Sequence, residues 1–337
     1  MKPANEVAVK RQAEKLDRLR VCLNGVLFGQ EELVEQVLVG LVAGGHILLE
    51  GLPGLGKTEL VKSLAKAVQL EARRIQFTPD LLPGDITGNP VLQEMEGTKR
   101  FVFRPGPLFG NLVLADEVNR ASPKTQSALL EAMQERSVTV MGEHHVLPSP
   151  FFVLATQNPI ELEGTYPLPE AQLDRFLFKL DVRRNRVDVL ERIVQKRELG
   201  SDPVVPAVLT GDELLEAMAL VRAVYLPDVV ANYVARLVDQ THPGSSKSAE
   251  GVKYGASPRA AIGLVAAARA RALLQGRINL SFEDVRFAAK PVLRHRLILD
   301  YGARLEGKTT DDVVRALLEE VPIQDKKLPT TLEEIPG

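Results

Sequence analysis

The segment His46-Ile47-Leu48-Leu49-Glu50 runs directly into Gly51-Leu52-Pro53-Gly54-Leu55-Gly56-Lys57-Thr58. The first part is a short apolar run bounded by glycine, which is typical of a buried parallel strand. The second part matches the pattern G-x-x-x-x-G-K-[ST], and apolar residues then return at helical spacing from Lys57 to Leu70. The sequence therefore predicts a strand, a glycine-rich loop and a helix in succession.

The glycine-rich loop has the chemistry of a phosphate-binding site. Such a backbone can curl so that several N–H groups point at a β-phosphate, and the following helix N-terminus adds partial positive charge. The loop residues that we expect around the nucleotide are Gly51, Pro53, Gly54, Leu55 and Gly56. Lys57 is expected to neutralise the β- and γ-phosphates, and the Thr58 hydroxyl is expected to ligate Mg²⁺.

A second apolar run, from Leu112 to Ala115, ends in two carboxylates. A magnesium site next to a nucleotide needs an acidic side chain at the end of a neighbouring strand. We therefore expect Asp116 to lie on the metal side, and Glu117 to orient and polarise the attacking water.

Short apolar runs and helical segments alternate over the first half of the chain. Helical spacing covers Glu31 to Ala43 and Pro123 to Glu135. The further runs that read as strands are Arg74 to Phe77, Asn111 to Ala115, Phe151 to Ala155 and Phe176 to Leu180. This alternation predicts an α/β fold in which helices flank a parallel sheet.

Two segments interrupt the alternation and read as β-hairpins. Val91 to Phe103 is expected to turn at Glu96-Gly97, and Ser137 to Val146 at Gly142-Glu143. After Asp181 the pattern predicts a second domain made only of helices, at Val187 to Glu198, Asp212 to Val224, Val229 to Gln240, Pro258 to Leu274 and Phe282 to Ala289. Thr241 to Gly255 reads as a flexible surface loop, and the tail from Pro322 as a segment with little fixed structure.

Composition bounds the remaining possibilities. The chain has 337 residues, of which 45% are hydrophobic and 26% charged, so it is long enough for two domains and unlike collagen-like, disordered or disulfide-rich chains. Forty-two basic residues face 44 acidic ones, which leaves no global basic field to attract nucleic acid or acidic lipid. Cys22 is the single cysteine, and no secretory or membrane-spanning stretch is expected, so we expect a cytoplasmic protein.

Taken together, the motifs resemble those of the AAA+ ATPases, and more narrowly the MoxR family. Besides the glycine-rich loop, the resemblance is carried by Phe101 to Arg120 (FVFRPGPLFGNLVLADEVNR), Ala155 to Pro159 (ATQNP), Leu168 to Phe176 (LPEAQLDRF) and Gly255 to Ala260 (GASPRA). It implies a P-loop NTPase sheet domain followed by a smaller helical lid. The implied ranges are an N-terminal helix at 1–20, the nucleotide-binding domain at 21–185, the lid at 186–305 and a C-terminal helix and tail at 306–337.

The same resemblance implies roles for several further residues. Asn158 resembles the sensor-1 residue, whose polar side chain bonds the γ-phosphate or the attacking water. Arg175 resembles the arginine finger that acts on nucleotide held by the neighbouring subunit, and Arg259 resembles the sensor-2 arginine of the lid. The segment from Gly25 to Gln30 resembles the stretch that borders the adenine, so Gln30 is included among the expected ATP-binding residues.

Partners are also implied by the resemblance. Family members form rings, commonly hexamers, and several act as chaperone-like motors that mature or remodel client proteins, often with a partner that bears a von Willebrand factor A domain. The two hairpins are similar to the helix-2 insert and the presensor-1 insert of this clade. One departure is Thr241-His242, where many relatives have Thr-Arg, and it leaves the contacts of that loop open.

Three alternatives to a protein-remodelling motor are a metal-insertion motor like magnesium chelatase, a nucleic-acid motor, and a nucleotide-gated switch that hydrolyses slowly. The second hairpin argues against nucleic acid, because Arg136 stands against Glu135 and Glu143 and no basic cluster is present. His144 and His145 are adjacent, so on a strand they point to opposite faces and do not suit one metal ion.

Overall fold

A computed structural model describes residues 5–51, 54–95, 98–158, 164–182, 184–198 and 203–323. The chain divides into two compact units. The first unit consists of residues 1–224 and 270–278, and the second consists of residues 225–269 and 279–337.

The elements alternate between strand and helix in the first unit and are mostly helical in the second. In chain order the strands are β1 (Ile47–Glu50), β2 (Ala72–Gln76), β3 (Gly88–Met95), β4 (Thr98–Pro105), β5 (Leu112–Asp116), β6 (Ser137–Val140), β7 (Glu143–Val146), β8 (Phe152–Gln157), β9 (Phe178–Asp181), β10 (Val252–Tyr254) and β11 (Ile298–Leu299). The helices are α1 (Glu6–Asn24), α2 (Glu31–Val42), α3 (Lys57–Ala67), α4 (Pro83–Thr87), α5 (Pro123–Glu135), α6 (Glu170–Leu173), α7 (Val187–Lys196), α8 (Gly211–Val221), α9 (Asp228–Asp239), α10 (Pro258–Leu274), α11 (Phe282–Leu293), α12 (Tyr301–Leu305) and α13 (Thr310–Glu320). Short 3₁₀ turns cover Pro107–Phe109 and Val118–Arg120.

The first unit is built on a five-stranded parallel sheet in the order β2-β5-β8-β1-β9. Strands β1, β5 and β8 are buried except for the last residue of each, which explains why their sequences are continuous apolar runs. The predicted α/β fold with a parallel sheet is therefore confirmed. Each sheet strand begins and ends within two residues of its predicted range.

Helix α1 carries many charged residues but buries one face. It is longer than predicted, ending at Asn24, and one face is buried through Val9, Leu16, Leu19 and Leu23. Its high content of charged residues hid this apolar stripe, which recurs at helical spacing between them.

Two antiparallel hairpins, β3-β4 and β6-β7, leave the sheet as predicted. The pairing of the first hairpin begins at Gly88 and ends at Pro105, which extends the predicted range of Val91 to Phe103 at both ends. Its expected turn at Glu96-Gly97 lies outside the described residues. The second turns at Met141-Gly142 rather than one residue later, because both residues have positive φ (53° and 83°), as a two-residue hairpin turn requires.

The two hairpins meet through an aromatic contact. The His145 ring stacks on the Phe103 ring with centroids 3.8 Å apart. The His144 Nδ1 atom lies 3.2 Å from the Thr139 hydroxyl. Within the described ranges, no group of three His, Cys, Asp or Glu residues could hold a metal ion.

The second unit contains α9, α11, α12 and α13, together with all but the last turns of α10. It also holds a small antiparallel ladder between β10 and β11, so the lid region is mostly but not wholly helical. The stretch from Thr241 to Gly255, predicted as a flexible surface loop, consists mostly of turns but is not wholly irregular or exposed. Strand β10 lies within it, and the Thr241 hydroxyl is fully buried, where it accepts a hydrogen bond from the Ala256 amide at 2.9 Å.

Helices α7 and α8 belong to the compact first unit, although the sequence analysis assigns their residues to the lid. The chain before α8 is tied to α3, because the amides of Val208 and Leu209 donate to the Ala67 carbonyl at 2.7 and 3.0 Å. The tail from residue 324 lies outside the described residues, and none of the described helices is long and apolar enough to cross a membrane.

Candidate functional site

A polar cavity of about 390 Å³ opens at the carboxyl ends of β1 and β5. This is the edge at which parallel α/β sheets receive their ligands. The residues that line it are Gly54, Gly56, Lys57, Thr58, Glu59, Arg74, Gln76, Asp116, Glu117 and Asn158. The structure thus brings the two sequence motifs and Asn158 into one site, although its lining residues are spread along the chain from Gly54 to Asn158.

The glycine-rich loop joins β1 to α3. Gly54 and Gly56 have φ angles of 80° and 81°, a conformation that other residues seldom adopt, so glycine is required at both positions. Gly56 is also the N-cap of α3 and supplies no capping side chain, which leaves the first amides of the helix available to an anion. Leu52 and Pro53 lie outside the described residues.

Lys57 lies at the start of α3, where it is half-buried. Its ammonium group donates a hydrogen bond to the Gly51 carbonyl at 2.7 Å. Burial lowers the pKa of Lys57, and the negative charges of Asp116 and Glu117 oppose that shift. The cavity therefore holds a desolvated cation that an anionic ligand would stabilise.

The two carboxylates at the end of β5 are oriented by a buried threonine on β8. The Thr156 hydroxyl donates to the Asp116 Oδ1 atom at 2.6 Å and accepts from the Glu117 amide at 2.9 Å. Glu117 itself has a φ of 58°, which turns its side chain out of the strand direction. Thr156 was not identified from the sequence, although it lies in the same Ala155-to-Pro159 stretch as Asn158.

Strand β2 brings two further polar side chains to the cavity. Arg74 donates to the Asp116 Oδ2 atom at 2.7 Å and to the Gln76 Oε1 atom at 2.6 Å. The Gln76 amide in turn donates to the Glu117 Oε2 atom at 2.8 Å, and Arg120 donates to that same oxygen at 3.0 Å. Arg74 and Gln76 were missed because the register between β2 and β5 that brings them beside Asp116 and Glu117 is not visible in the sequence. Arg120 was also missed, although it lies only three residues after Glu117.

Asn158 follows the last residue of β8 and is only 8% exposed. It lines the cavity, as expected of a residue that contacts phosphate or water there. The preceding residue, Gln157, donates from its amide to the Glu50 carboxylate at 2.7 Å, which fixes the ends of β8 and β1 against each other.

Gln30 does not line the phosphate cavity. It is the N-cap of α2, and its amide donates to the Asn185 side chain at 3.0 Å. Nearby, the buried Phe28 ring lies under the cations of Arg192, Lys196 and Arg197, at 5.1 to 5.8 Å from the ring centroid. A role of Gln30 in nucleotide binding stays a prediction.

Arg175 is exposed and lies outside the cavity. It donates to the Leu130 carbonyl at 3.1 Å and lines a different depression of about 230 Å³ beside α5, together with Glu131 and Glu135. Arg259 belongs to the second unit, where it is exposed in the first turn of α10. The roles inferred for both arginines stay predictions.

The donor set of the cavity fits a magnesium ion. Thr58 and Asp116 offer a hydroxyl and a carboxylate oxygen to the same cavity, and Mg²⁺ takes oxygen ligands. A site for Mg²⁺ beside a nucleotide needs only one or two protein ligands, because the phosphates and water complete the coordination.

Comparison with known proteins gives concordant matches. Residues 46–178 match the ATPase family associated with various cellular activities (AAA), and residues 245–317 match the AAA lid domain. The protein YeaC of Bacillus subtilis, which is uncharacterised, is 44% identical over 90% of this chain and 93% of its own. Chaperone MoxR1 of Mycobacterium tuberculosis is 40% identical over 95% of this chain and 85% of its own.

A crystal structure of a candidate ATPase from Cytophaga hutchinsonii superposes with a TM-score of 0.87. It is 38% identical and covers 94% of this chain and 97% of its own. The parallel sheet, the glycine-rich loop and the lid region thus define the class as AAA+ ATPase. Within that class, the chain belongs to the MoxR family.

Proposed function

We propose that the protein hydrolyses ATP with Mg²⁺, works as a ring of identical subunits and remodels client proteins. The observation that carries the proposal is the convergence of Lys57, Thr58, Asp116, Glu117 and Asn158 on one cavity at the carboxyl edge of the sheet. That set combines phosphate neutralisation, metal ligation and activation of water, which are the requirements of phosphoryl transfer to water.

Binding of the triphosphate exchanges internal contacts for ligand contacts. The Lys57 ammonium moves from the Gly51 carbonyl, 2.7 Å away, to the β- and γ-phosphates. The uncapped amides at the start of α3 receive the phosphate oxygens. Thr58 and Asp116 would hold Mg²⁺, whose charge neutralises the phosphate oxygens as negative charge shifts during transfer.

Hydrolysis requires a water placed in line with the γ-phosphate. The Glu117 carboxylate accepts a proton from that water or polarises it, and Asn158 donates a hydrogen bond that fixes its position. Thr156 holds the backbone of Glu117, through the 2.9 Å bond to its amide, so that the carboxylate faces the cavity.

A complete site requires a second subunit. Arg175 is exposed and lies outside the cavity of its own subunit, so it is available to a nucleotide held by a neighbour. Such an arrangement repeats head to tail and closes into a ring, for which we propose six subunits. Arg259 in the second unit would report the phosphate state to the lid, and a von Willebrand factor A domain protein is a candidate partner.

Mixing of two inactive variants tests the shared site. Lys57→Ala and Arg175→Ala subunits are each expected to be inactive. In a 1:1 mixture, about a quarter of the interfaces combine an intact Lys57 with an intact Arg175 of the neighbour, and activity is expected to return at those interfaces. Lys62→Ala, on the exposed side of α3, is the control and is expected to be fully active alone. A mixture as inactive as its components would contradict shared sites.

The hairpins support action on a polypeptide. Leu92 and Phe101 face each other across β3 and β4 and are 52% and 65% exposed, while Met141 and Val146 of the second hairpin are 70% and 78% exposed. Exposed apolar side chains on insertions are suited to contact unfolded chains. By contrast, the Arg136 guanidinium is occupied with the carbonyls of Phe151 and Gly44 at 2.6 and 2.8 Å, which disfavours a grip on nucleic-acid phosphates.

The client proposal is tested with casein as an unstructured polypeptide. ATP turnover is expected to rise in its presence, and Phe101→Ser is expected to lose the stimulation while keeping basal turnover. A folded protein of similar size serves as the control. Stimulation by DNA in a salt-dependent manner, with none by casein, would favour the nucleic-acid alternative instead.

A further inference from the structure

The metal-side carboxylate of the cavity is paired with a cation of the chain itself. The Arg74 guanidinium lies 2.7 Å from the Asp116 Oδ2 atom, and the other carboxylate oxygen accepts the Thr156 hydroxyl at 2.6 Å. Both oxygens of Asp116 are therefore engaged within the protein. A divalent cation that uses Asp116 must share a carboxylate oxygen with Thr156 or Arg74, or displace one of them, and Arg74 is the partner that carries positive charge.

The position of Arg74 follows from the sheet. Strand β2 is an edge strand, and in its register with β5 Arg74 lies opposite Leu114 while Gln76 lies opposite Asp116. Arg74 and Gln76 are two residues apart, so their side chains project from the same face of β2. Ile75 between them is buried on the opposite face.

Asp116 and Arg74 differ in their freedom to move. The Asp116 side chain is 16% exposed and is held by Thr156, whereas the Arg74 side chain is 53% exposed. A half-exposed arginine at a sheet edge can rotate into solvent without disturbing the core. The mobile partner of this ion pair is therefore the guanidinium.

We propose that Arg74 is a positioning residue that neutralises Asp116 when no divalent cation is bound and leaves Asp116 when one arrives. Two cations cannot both lie against one carboxylate oxygen without repulsion, so Arg74 and the metal compete for Asp116. In the absence of metal, Arg74 also lowers the repulsion between Asp116 and incoming phosphates. The proposal rests on nucleotide and Mg²⁺ binding in the cavity, as proposed above.

Removal of Arg74 consequently has opposite effects on two binding reactions. Without metal, Asp116 in the variant lacks a cationic partner and repels the phosphates, so the affinity for nucleotide falls. With metal present, the variant has no Arg74 guanidinium to compete with the metal for Asp116, so the affinity for nucleotide rises or stays equal. Since a partly exposed ion pair contributes up to about 1 kcal/mol, the ratio of dissociation constants without and with Mg²⁺ is expected to increase about fivefold.

The test is calorimetric titration with a non-hydrolysable ATP analogue, once in Mg²⁺ and once in EDTA. The proteins are wild type, Arg74→Ala, Arg74→Lys and the control Arg73→Ala, whose arginine lies on the same strand and pairs with Glu71 just before it. Arg74→Ala is expected to raise the ratio about fivefold. Arg74→Lys, which keeps the charge, is expected to restore the ratio, and Arg73→Ala to match wild type.

An unchanged or lower ratio in Arg74→Ala would overturn the proposal, as would an equal increase in Arg74→Lys, because charge would then not be the cause. Circular dichroism checks that each variant is folded. If wild type binds the analogue in neither buffer, the proposed nucleotide function itself fails. If wild type binds and only the ratios disagree, the role of Arg74 alone is wrong.

Discussion

Thr156→Val is the most informative single substitution in the first unit. Valine has nearly the shape of threonine, so packing of this fully buried side chain is retained. The change removes the hydroxyl that donates to Asp116 at 2.6 Å and accepts from the Glu117 amide at 2.9 Å. One substitution thus releases both carboxylates that we assign to metal binding and water activation.

The expected loss follows from these two bonds. A hydrogen bond to a charged group contributes about 1.5 to 3 kcal/mol, and a buried amide left without a partner costs about 1 to 3 kcal/mol. Water can partly replace the hydroxyl at Asp116, since that side chain is 16% exposed. We therefore expect the free energy of unfolding to fall by about 2 to 3 kcal/mol, and kcat to fall about 10- to 100-fold as the carboxylates lose their orientation.

Urea unfolding and steady-state ATP turnover measure the two effects. Thr156→Ser, which keeps the hydroxyl and loses one methyl group, is the matched control. It is expected to lose about 1 kcal/mol of stability and to keep most of its turnover. If the valine variant unfolds and turns over ATP as wild type does, or if serine is as impaired as valine, the hydroxyl does not organise the site.

Two further predictions concern the scaffold. Burial, with a smaller contribution from Arg136, lowers the pKa of His46 to about 3. Between pH 6.5 and 3 the histidine is therefore protonated in the unfolded chain but neutral in the folded protein, so the free energy of unfolding falls as the pH falls. At pH 5 this decrease amounts to about 2 kcal/mol. His46→Gln, measured by urea unfolding at pH 8 and pH 5, is expected to remove that share of the decrease, and an identical pH dependence in both proteins would refute it. A Cβ atom at Gly88 would lie 2.4 Å from the Arg104 carbonyl, so Gly88→Ala is expected to cost about 2 kcal/mol or more. Gly142 also has a positive φ, but no atom would lie within 4 Å of a Cβ atom there, so Gly142→Ala is expected to cost only about 1 kcal/mol. Equal losses of unfolding free energy in the two variants would show that the close contact at Gly88 does not matter.

Much of the fold could be predicted from the sequence because its signals are local. The glycine-rich loop, the continuous apolar runs and the 3.6-residue spacing of helices such as α5 and α9 each act over a few residues. The α/β sheet, the hairpins and most helix bounds followed from them. The buried face of helix α1 was not predicted, because charged residues dominate its composition while a minority of apolar residues decides its burial.

The parts of the site that escaped prediction depend on pairing between distant strands. Arg74 and Gln76 contact Asp116 and Glu117 only because β2 and β5 are neighbours in a fixed register. Thr156 reaches both carboxylates because β8 lies on the other side of β5. A one-residue shift of either register would point these side chains to the opposite face, and no local pattern fixes that register.

The central claim is that a nucleotide triphosphate binds at the start of α3 beside Lys57 and Asp116. Isothermal titration calorimetry of the folded wild-type protein with ATP and Mg²⁺, compared with Lys57→Ala, tests it most directly. We expect saturable binding by wild type and at least about tenfold weaker binding by the variant, the loss expected when a charged contact is removed. Absence of binding by wild type, or equal affinity in the two proteins, would contradict it.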